Sequence, residues 1–216
     1  MTQPDNATLD QFTGAHTVAG RTPEGRDYRG TMSLERKGAF LHARAELESL
    51  GERFGLAMPF AGRLVMAFGA KDKVEIGVYR IDGMEVTGMW VPPGAADEDF
   101  ARCGREISAV EAPGTWQIKQ ARAVDGSEYR GTVRLVPAEG AAGPTRPTPV
   151  HMTWSLHDGE YHSFGLAYDD AVYSTFNLAA GRPHGLAVYE RDGNGDWHGR
   201  WMTDAQAALG TETLRR

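Results

Sequence analysis

Val78-Tyr79-Arg80-Ile81-Asp82-Gly83-Met84-Glu85-Val86-Thr87-Gly88-Met89-Trp90 returns near the other end of the chain as Val188-Tyr189-Glu190-Arg191-Asp192-Gly193-Asn194-Gly195-Asp196-Trp197-His198-Gly199-Arg200-Trp201. In both copies an Asp-Gly pair separates two β-prone runs. That is a strong local hairpin signal, because a turn matching the twist of its strands needs positive φ at a central residue. Other segments repeat with it. Tyr28-Arg29-Gly30-Thr31-Met32-Ser33-Leu34 matches Tyr129-Arg130-Gly131-Thr132-Val133-Arg134-Leu135, and Gly104-Arg105-Glu106-Ile107 is echoed by Gly210-Thr211-Glu212-Thr213-Leu214. Each copy resolves into about eight short strands joined by turn residues with almost no helical periodicity.

Short consecutive strands joined by tight turns predict an all-β fold of two tandem antiparallel up-and-down barrels of about eight strands each, closure removing exposed edges. A sandwich, or one sheet shared by both halves, is the alternative. The repeat sets the expected domains as a flexible lead-in over 1–12, a first barrel over 13–110 and a second over 111–216. The spacing between the copies drifts. The extra residues of the second copy fall in Ala138 to Pro149, a turn-rich stretch read as a surface loop, and those of the first around Pro92 to Phe100.

Composition narrows the function classes. The net charge is -6 and no basic stripe is present, so neither nucleic acid nor an anionic membrane is an expected partner. Hydrophobic residues make up 41% and charged residues 24%, with no run of membrane-spanning length, as in a soluble globular protein. The single cysteine, Cys103, excludes an intrachain disulfide. With an N-terminus that is neither basic nor apolar, this gives a cytoplasmic expectation. Gly-x-Ser-x-Gly, phosphate-loop and dinucleotide fingerprints are missing, and no cofactor is expected. His151, His157 and His162 crowd the second copy, but a turn at Asp158-Gly159 keeps them from converging, so no metal site is expected.

Candidate ligand-binding residues come from strand alternation. A two-residue Asp82-Gly83 turn places Tyr79 opposite Val86 and Gly77 opposite Gly88, and puts Glu75, Gly77, Tyr79, Val86, Gly88 and Trp90 on one face. Ile76 and Val78 make the other face apolar too, so this hairpin alone does not say which face is inward; the aromatic row is placed inside. Two glycines beside Tyr79 and Trp90 leave room for a small, partly aromatic or apolar ligand. In the second copy Tyr189, Gly199 and Trp201 share a side only if the Asp192-to-Gly195 turn absorbs one residue as an irregularity. In the third strand of the first copy, Phe40, His42, Arg44 and Glu46 face opposite to Leu41, Ala43, Ala45 and Leu47. Aligning Phe54 with Phe164 sets Arg44 and Glu46 against Trp154 and Leu156, which makes Arg44 and Glu46 a candidate polar pair inside the first barrel. The ligand-binding set is thus Arg44, Glu46, Tyr79, Trp90, Trp154, Tyr189 and Trp201, with no catalytic residue assigned.

Gly114-Thr115-Trp116, Asp125-Gly126-Ser127-Glu128-Tyr129-Arg130-Gly131-Thr132-Val133, the second hairpin, and Leu209-Gly210-Thr211-Glu212-Thr213-Leu214 together resemble a duplicated bacterial β-barrel module of the fibronectin-binding-like type. They are similar in style to avidin-like and lipocalin-like barrels. The resemblance implies a barrel module, and it carries no catalytic residues. Three readings follow: a small-molecule-binding tandem barrel, an interaction or assembly module without a pocket, and an enzyme using Arg44 and Glu46 as an acid/base pair. The partner classes left open are a small-molecule ligand and further copies of the chain.

Overall fold

The Pro113-Gly114 turn governs how the chain is divided. Gly114 sits at φ +74 and folds Thr115 back to pair with Ala112, so the strand ending the first sequence copy is locked in a hairpin to the strand opening the second. A tight turn cannot serve as a linker between separate barrels. In a computed structural model, which describes residues 9–69, 74–92, 103–139, 147–177, 184–204 and 206–216, sixteen strands form two closed antiparallel barrels that do not follow the two copies.

The strands are β1 (Gly14–Arg21), β2 (Asp27–Lys37), β3 (Phe40–Leu47), β4 (Gly51–Phe60), β5 (Arg63–Gly69), β6 (Val74–Asp82), β7 (Glu85–Val91), β8 (Gly104–Ala112), β9 (Thr115–Arg122), β10 (Glu128–Pro137), β11 (Thr148–Leu156), β12 (Gly159–Ala167), β13 (Ala171–Asn177), β14 (Gly185–Arg191), β15 (Trp197–Thr203) and β16 (Gln206–Arg215). Barrel two is the continuous meander β6 to β13, closed by β13 on β6. Barrel one is made of β1 to β5 and β14 to β16, closed by β14 on β5 and β16 on β1. Barrel two is therefore nested in the sequence of barrel one. The expectation of two barrels holds, and the division at 110/111 is corrected: the copies exchange their last three strands.

Alternation then sorts the core into three parts. Tyr79 with Trp116, Ile118, Val133, Met152, Trp154 and Val172 fills barrel two. Tyr189 with Val18, Met32, Leu34, Leu64 and Met66 lines barrel one. Ile76 and Val78 of β6, Leu186 and Val188 of β14, Val65 of β5 and Tyr173 of β13 belong to a third cluster drawn from both barrels. Strands buried on both faces read as unbroken apolar runs. This is why Ile76 and Val78, alternating with Gly77 and Tyr79, gave no clear inward face, and the aromatic row is the inward one.

Polar contacts fix the barrels to each other. Arg63 of β5 donates through Nη1 to both carboxylate oxygens of Asp170 at 3.0 Å and through Nε to Glu190 at 2.8 Å, and its guanidinium lies 4.2 Å from the Tyr168 ring centroid. Asp170 and Tyr168 belong to barrel two and Glu190 to barrel one. Within barrel two, the Asp170 carbonyl accepts from the Ile81 amide at 2.9 Å, which holds the loop that Arg63 binds.

The lead-in expectation is corrected for the part described. Leu9 and Phe12 are buried in the core of barrel one, Phe12 packs 4.7 Å from the Trp197 ring, and its carbonyl meets His16 Nε2 at 2.9 Å. Residues 9–12 thus plug the end of barrel one formed by the β2–β3, β4–β5 and β14–β15 turns. Residues 1–8, and the stretches 93–100 and 140–146 within the two insertions, lie outside the described residues. At the edges of the second insertion, Ala138 is buried and its amide donates to the Pro149 carbonyl at 2.9 Å.

Candidate functional site

Both hairpins carry their tyrosine across from a glycine. In the first, Asp82 pairs with Glu85, so the two-residue turn is Gly83-Met84, with the positive φ of +58 on Gly83 at its first position. The register moves two residues from the expected one: Tyr79 lies opposite Gly88 and Gly77 opposite Trp90, on the same face as expected. In the second hairpin Arg191 pairs with Trp197, leaving a five-residue loop with Gly195 at φ +95. Tyr189 then lies opposite Gly199 and Ala187 opposite Trp201, so Tyr189, Gly199 and Trp201 share the inner side, as the irregular turn required.

The next strands complete a row around each barrel. In barrel one, Gly199 pairs with Glu212, Glu212 with Gly20, and Gly20 with Tyr28. The two glycines are necessary, since a Cβ on either would collide with the tyrosine ring lying over it. Both rings lean toward the carboxylate between them. Tyr189 donates to Glu212 Oε1 at 2.5 Å and Tyr28 to Oε2 at 2.7 Å. Burial pushes the Glu212 carboxyl above its usual range against the pull of these two bonds. Burial, with Glu212 alongside, pushes both tyrosines up as well, so they stay protonated donors.

Barrel two repeats the row with different bonds. Tyr79, Gly88, Glu106, Ala121 and Tyr129 follow one another across β6 to β10. Glu106 accepts from Ser108 at 2.8 Å and from Tyr129 at 3.3 Å, with Trp154 as a further donor. Trp90 Nε1 donates to the Tyr129 hydroxyl at 3.2 Å. The matching indole of barrel one differs: Trp201 Nε1 is buried and reaches no acceptor at bonding geometry, although it is near enough to Tyr28 to affect its hydroxyl.

On β3, the inner side chains across barrel one from this row are small. Register equates Met32 with Val133 and therefore their β3 and β11 partners, Ala45 with Trp154 and Ala43 with Met152. In barrel two Trp154 packs 6.1 Å from Tyr79 and 5.0 Å from Phe176, occupying the centre. In barrel one the two alanines leave a cavity of about 340 Å³. Its walls are Met32, Ala43, Ala45, Met66, Phe68 and Ala187, with Tyr28, Tyr189, Trp201 and Glu212 supplying the polar atoms. It opens at the end opposite the Leu9 and Phe12 plug, where Thr22, Glu24, Arg26, Leu50, Glu52 and Arg53 form the rim.

The sequence-derived set divides. Tyr189 and Trp201 line the cavity; Tyr79, Trp90 and Trp154 lie in the other barrel, Trp154 as filling. Arg44 and Glu46 are corrected. They lie on the outer face of β3, with side chains 59% and 69% exposed, and Arg44 bonds to Glu52 at 2.6 Å. The alignment of Phe54 with Phe164 caused this error, because the strand pairs match Leu56 with Phe164 and bring Ala45, not Arg44, to the Trp154 position. The buried acid of the cavity is Glu212. It and Tyr28 were visible only as repeated strand residues. The missed signal is that Glu106 and Glu212 recur at the position that pairs with the glycine facing the hairpin tyrosine.

The second-copy histidines stay apart: His162 pairs with Thr153, and His151 with Phe164. Among the described residues, Asp192, Asp196 and His198 bring potential metal ligands within 4.8 Å. His198 already meets Asp192 at 2.9 Å, and Arg215 donates to Asp196 at 2.6 Å.

No family model matches the chain, and no curated protein matches it. One solved structure, a redesigned beta barrel, is similar over 79% of this chain and 95% of its own, at 10% identity and a TM-score of 0.19. A likeness that slight carries no argument.

Proposed function

We propose that the protein binds a small, largely apolar molecule inside barrel one. The observation that carries this is the pair Ala43 and Ala45 standing where barrel two has Met152 and Trp154, beneath an otherwise repeated row of tyrosine, glycine and glutamate. Protein interiors are close-packed, and one barrel of this chain is filled by those larger side chains. A space of about 340 Å³ lies at the small end of the usual range for ligand pockets. It combines apolar walls with a few convergent polar groups, as such pockets do.

The assembly reading has less support. The aromatic rows it would use as contact surface face the barrel interiors, with Tyr79 and Tyr189 fully buried there. The acid/base reading loses its named pair, since Arg44 and Glu46 point to solvent. The avidin-like and lipocalin-like style fits a barrel that holds its ligand inside.

The test is titration with N-phenyl-1-naphthylamine, a neutral dye that brightens in apolar surroundings. The reading expects saturable binding at one dye per chain, lost in Ala45→Trp with the fold intact by circular dichroism. Binding that is unchanged in Ala45→Trp would place the dye elsewhere and remove the reading.

A further inference from the structure

The two buried glutamates of the repeated row are unequally provided with donors. Among the described residues, Glu106 of barrel two accepts from Ser108 at 2.8 Å, from Tyr129 at 3.3 Å and from the Trp154 indole. Glu212 of barrel one accepts only from Tyr189 and Tyr28. Register accounts for the difference. Glu106 pairs with Gly88 and Glu212 with Gly199, so Ser108, two residues on, stands where barrel one has Leu214. The Trp154 position is held by Ala45. Trp201 does not fill the place, since its indole acts on the Tyr28 hydroxyl, as the Trp90 indole does on Tyr129. An ionised carboxylate has room for about four hydrogen bonds, and a buried one with half of them made is unfavourable. Barrel one therefore lacks both the bulk of an indole and its N–H. Both are missing from the space that forms the cavity, and Glu212 lines that space.

We propose that the ligand is a flat aromatic molecule with an N–H donor, of the indole class, which takes the space that Trp154 takes in barrel two and donates to Glu212 as Trp154 donates to Glu106. The proposal rests on the pocket reading and adds the chemistry of the ligand to it. Met32, Met66 and Phe68 offer apolar surface to the ring, and the carboxylate fixes which edge of the ring points inward. A ring with an acceptor in place of its N–H sets a lone pair against that carboxylate. A buried acceptor discriminates strongly against such an analogue, because it is then left without its donor.

Indole and benzofuran test the assignment, having one shape and differing in N–H against O. Each is titrated against bound N-phenyl-1-naphthylamine. Indole is expected to displace the dye at about tenfold lower concentration than benzofuran. Glu212→Met keeps an unbranched side chain and removes the acceptor, and it should bring the ratio of the two displacement concentrations to unity. Equal displacement by both in the native protein, or a preference for indole that survives in Glu212→Met, overturns the assignment. A second measurement needs no variant. The N–H proton of bound, isotope-labelled indole should resonate downfield of its position in cyclohexane, as a hydrogen bond to carboxylate requires, and a resonance at the cyclohexane position overturns the assignment as well. Failure of the pocket reading looks different: the dye then does not bind, or binds Ala45→Trp as it binds the native chain.

Discussion

Barrel one and barrel two have the same row of tyrosine, glycine and glutamate across their strands, yet one encloses a cavity and the other a packed centre. The difference lies in a few inward positions. Ala43 and Ala45 replace Met152 and Trp154, and Gly185 replaces Glu75. At the last of these the Phe68 ring of barrel one lies over Gly185, where a Cβ would collide with it, and it also touches Trp201 at 6.2 Å between centroids. Its counterpart Phe176 stands against Trp154 in barrel two. The comparison teaches that the row is compatible with either interior. What separates a ligand site from a structural core here is the bulk facing the row.

The largest effect expected from breaking this comparison is on stability. Trp154→Ala removes the side chain that holds Tyr79 and Phe176 apart and leaves a void in barrel two. It should cost about 3–5 kcal/mol in chemical denaturation. Ala45→Trp fills existing space and should change stability far less. Comparable losses from both would mean that barrel one has no room at Ala45.

A smaller effect concerns the glycines. Gly88→Ala and Gly199→Ala each press a Cβ into the ring of the facing tyrosine and should destabilise by about 1–3 kcal/mol. Gly199→Ala should be the worse of the two, because moving Tyr189 also breaks its bond to Glu212, whereas no such bond ties Tyr79 to Glu106. Equal losses would show that the Tyr189 bond adds nothing.

The smallest effect is the pH dependence that Glu75 of barrel two contributes. Burial pushes Glu75 up to about 8, from an ordinary value of 4.5. The folded state thus holds this proton more tightly than the unfolded chain. Its contribution is complete below pH 4.5, declines as the pH rises, and is lost above about 8. Glu75→Gln should flatten the fall of melting temperature between pH 5 and 9, and an unchanged slope would mean that Glu75 is ionised in the folded protein.

Much of the fold was legible because an up-and-down meander is written in local signals. Asp82-Gly83, the glycine-bearing turns and period-two alternation specify hairpins one at a time. Where each barrel closes is a nonlocal choice. β6 pairing with β13, and β5 with β14, leave no mark in neighbouring residues, and the repeat sets a period without setting its phase. Pro113-Gly114 alone signalled that the copies are joined by a hairpin. At the site, alternation correctly grouped Tyr189 with Trp201 and Tyr79 with Trp90. Arg44 and Glu46 were misplaced because a shift of one residue in aligning the copies exchanges the two faces of a strand. Glu212 was passed over because a strand glutamate ordinarily faces water, and only its pairing with Gly199 and Gly20 turns it inward.

The most direct test of the central claim is the dye stoichiometry when bulk is moved between barrels, read by equilibrium titration with N-phenyl-1-naphthylamine. The account predicts one site in the native chain, none in Ala45→Trp, and one restored in Ala45→Trp/Trp154→Ala, now in barrel two beside Tyr79. A native-like site persisting in Ala45→Trp, or a double variant that folds and binds nothing, would contradict the claim that the bulk facing the row decides which barrel holds a ligand.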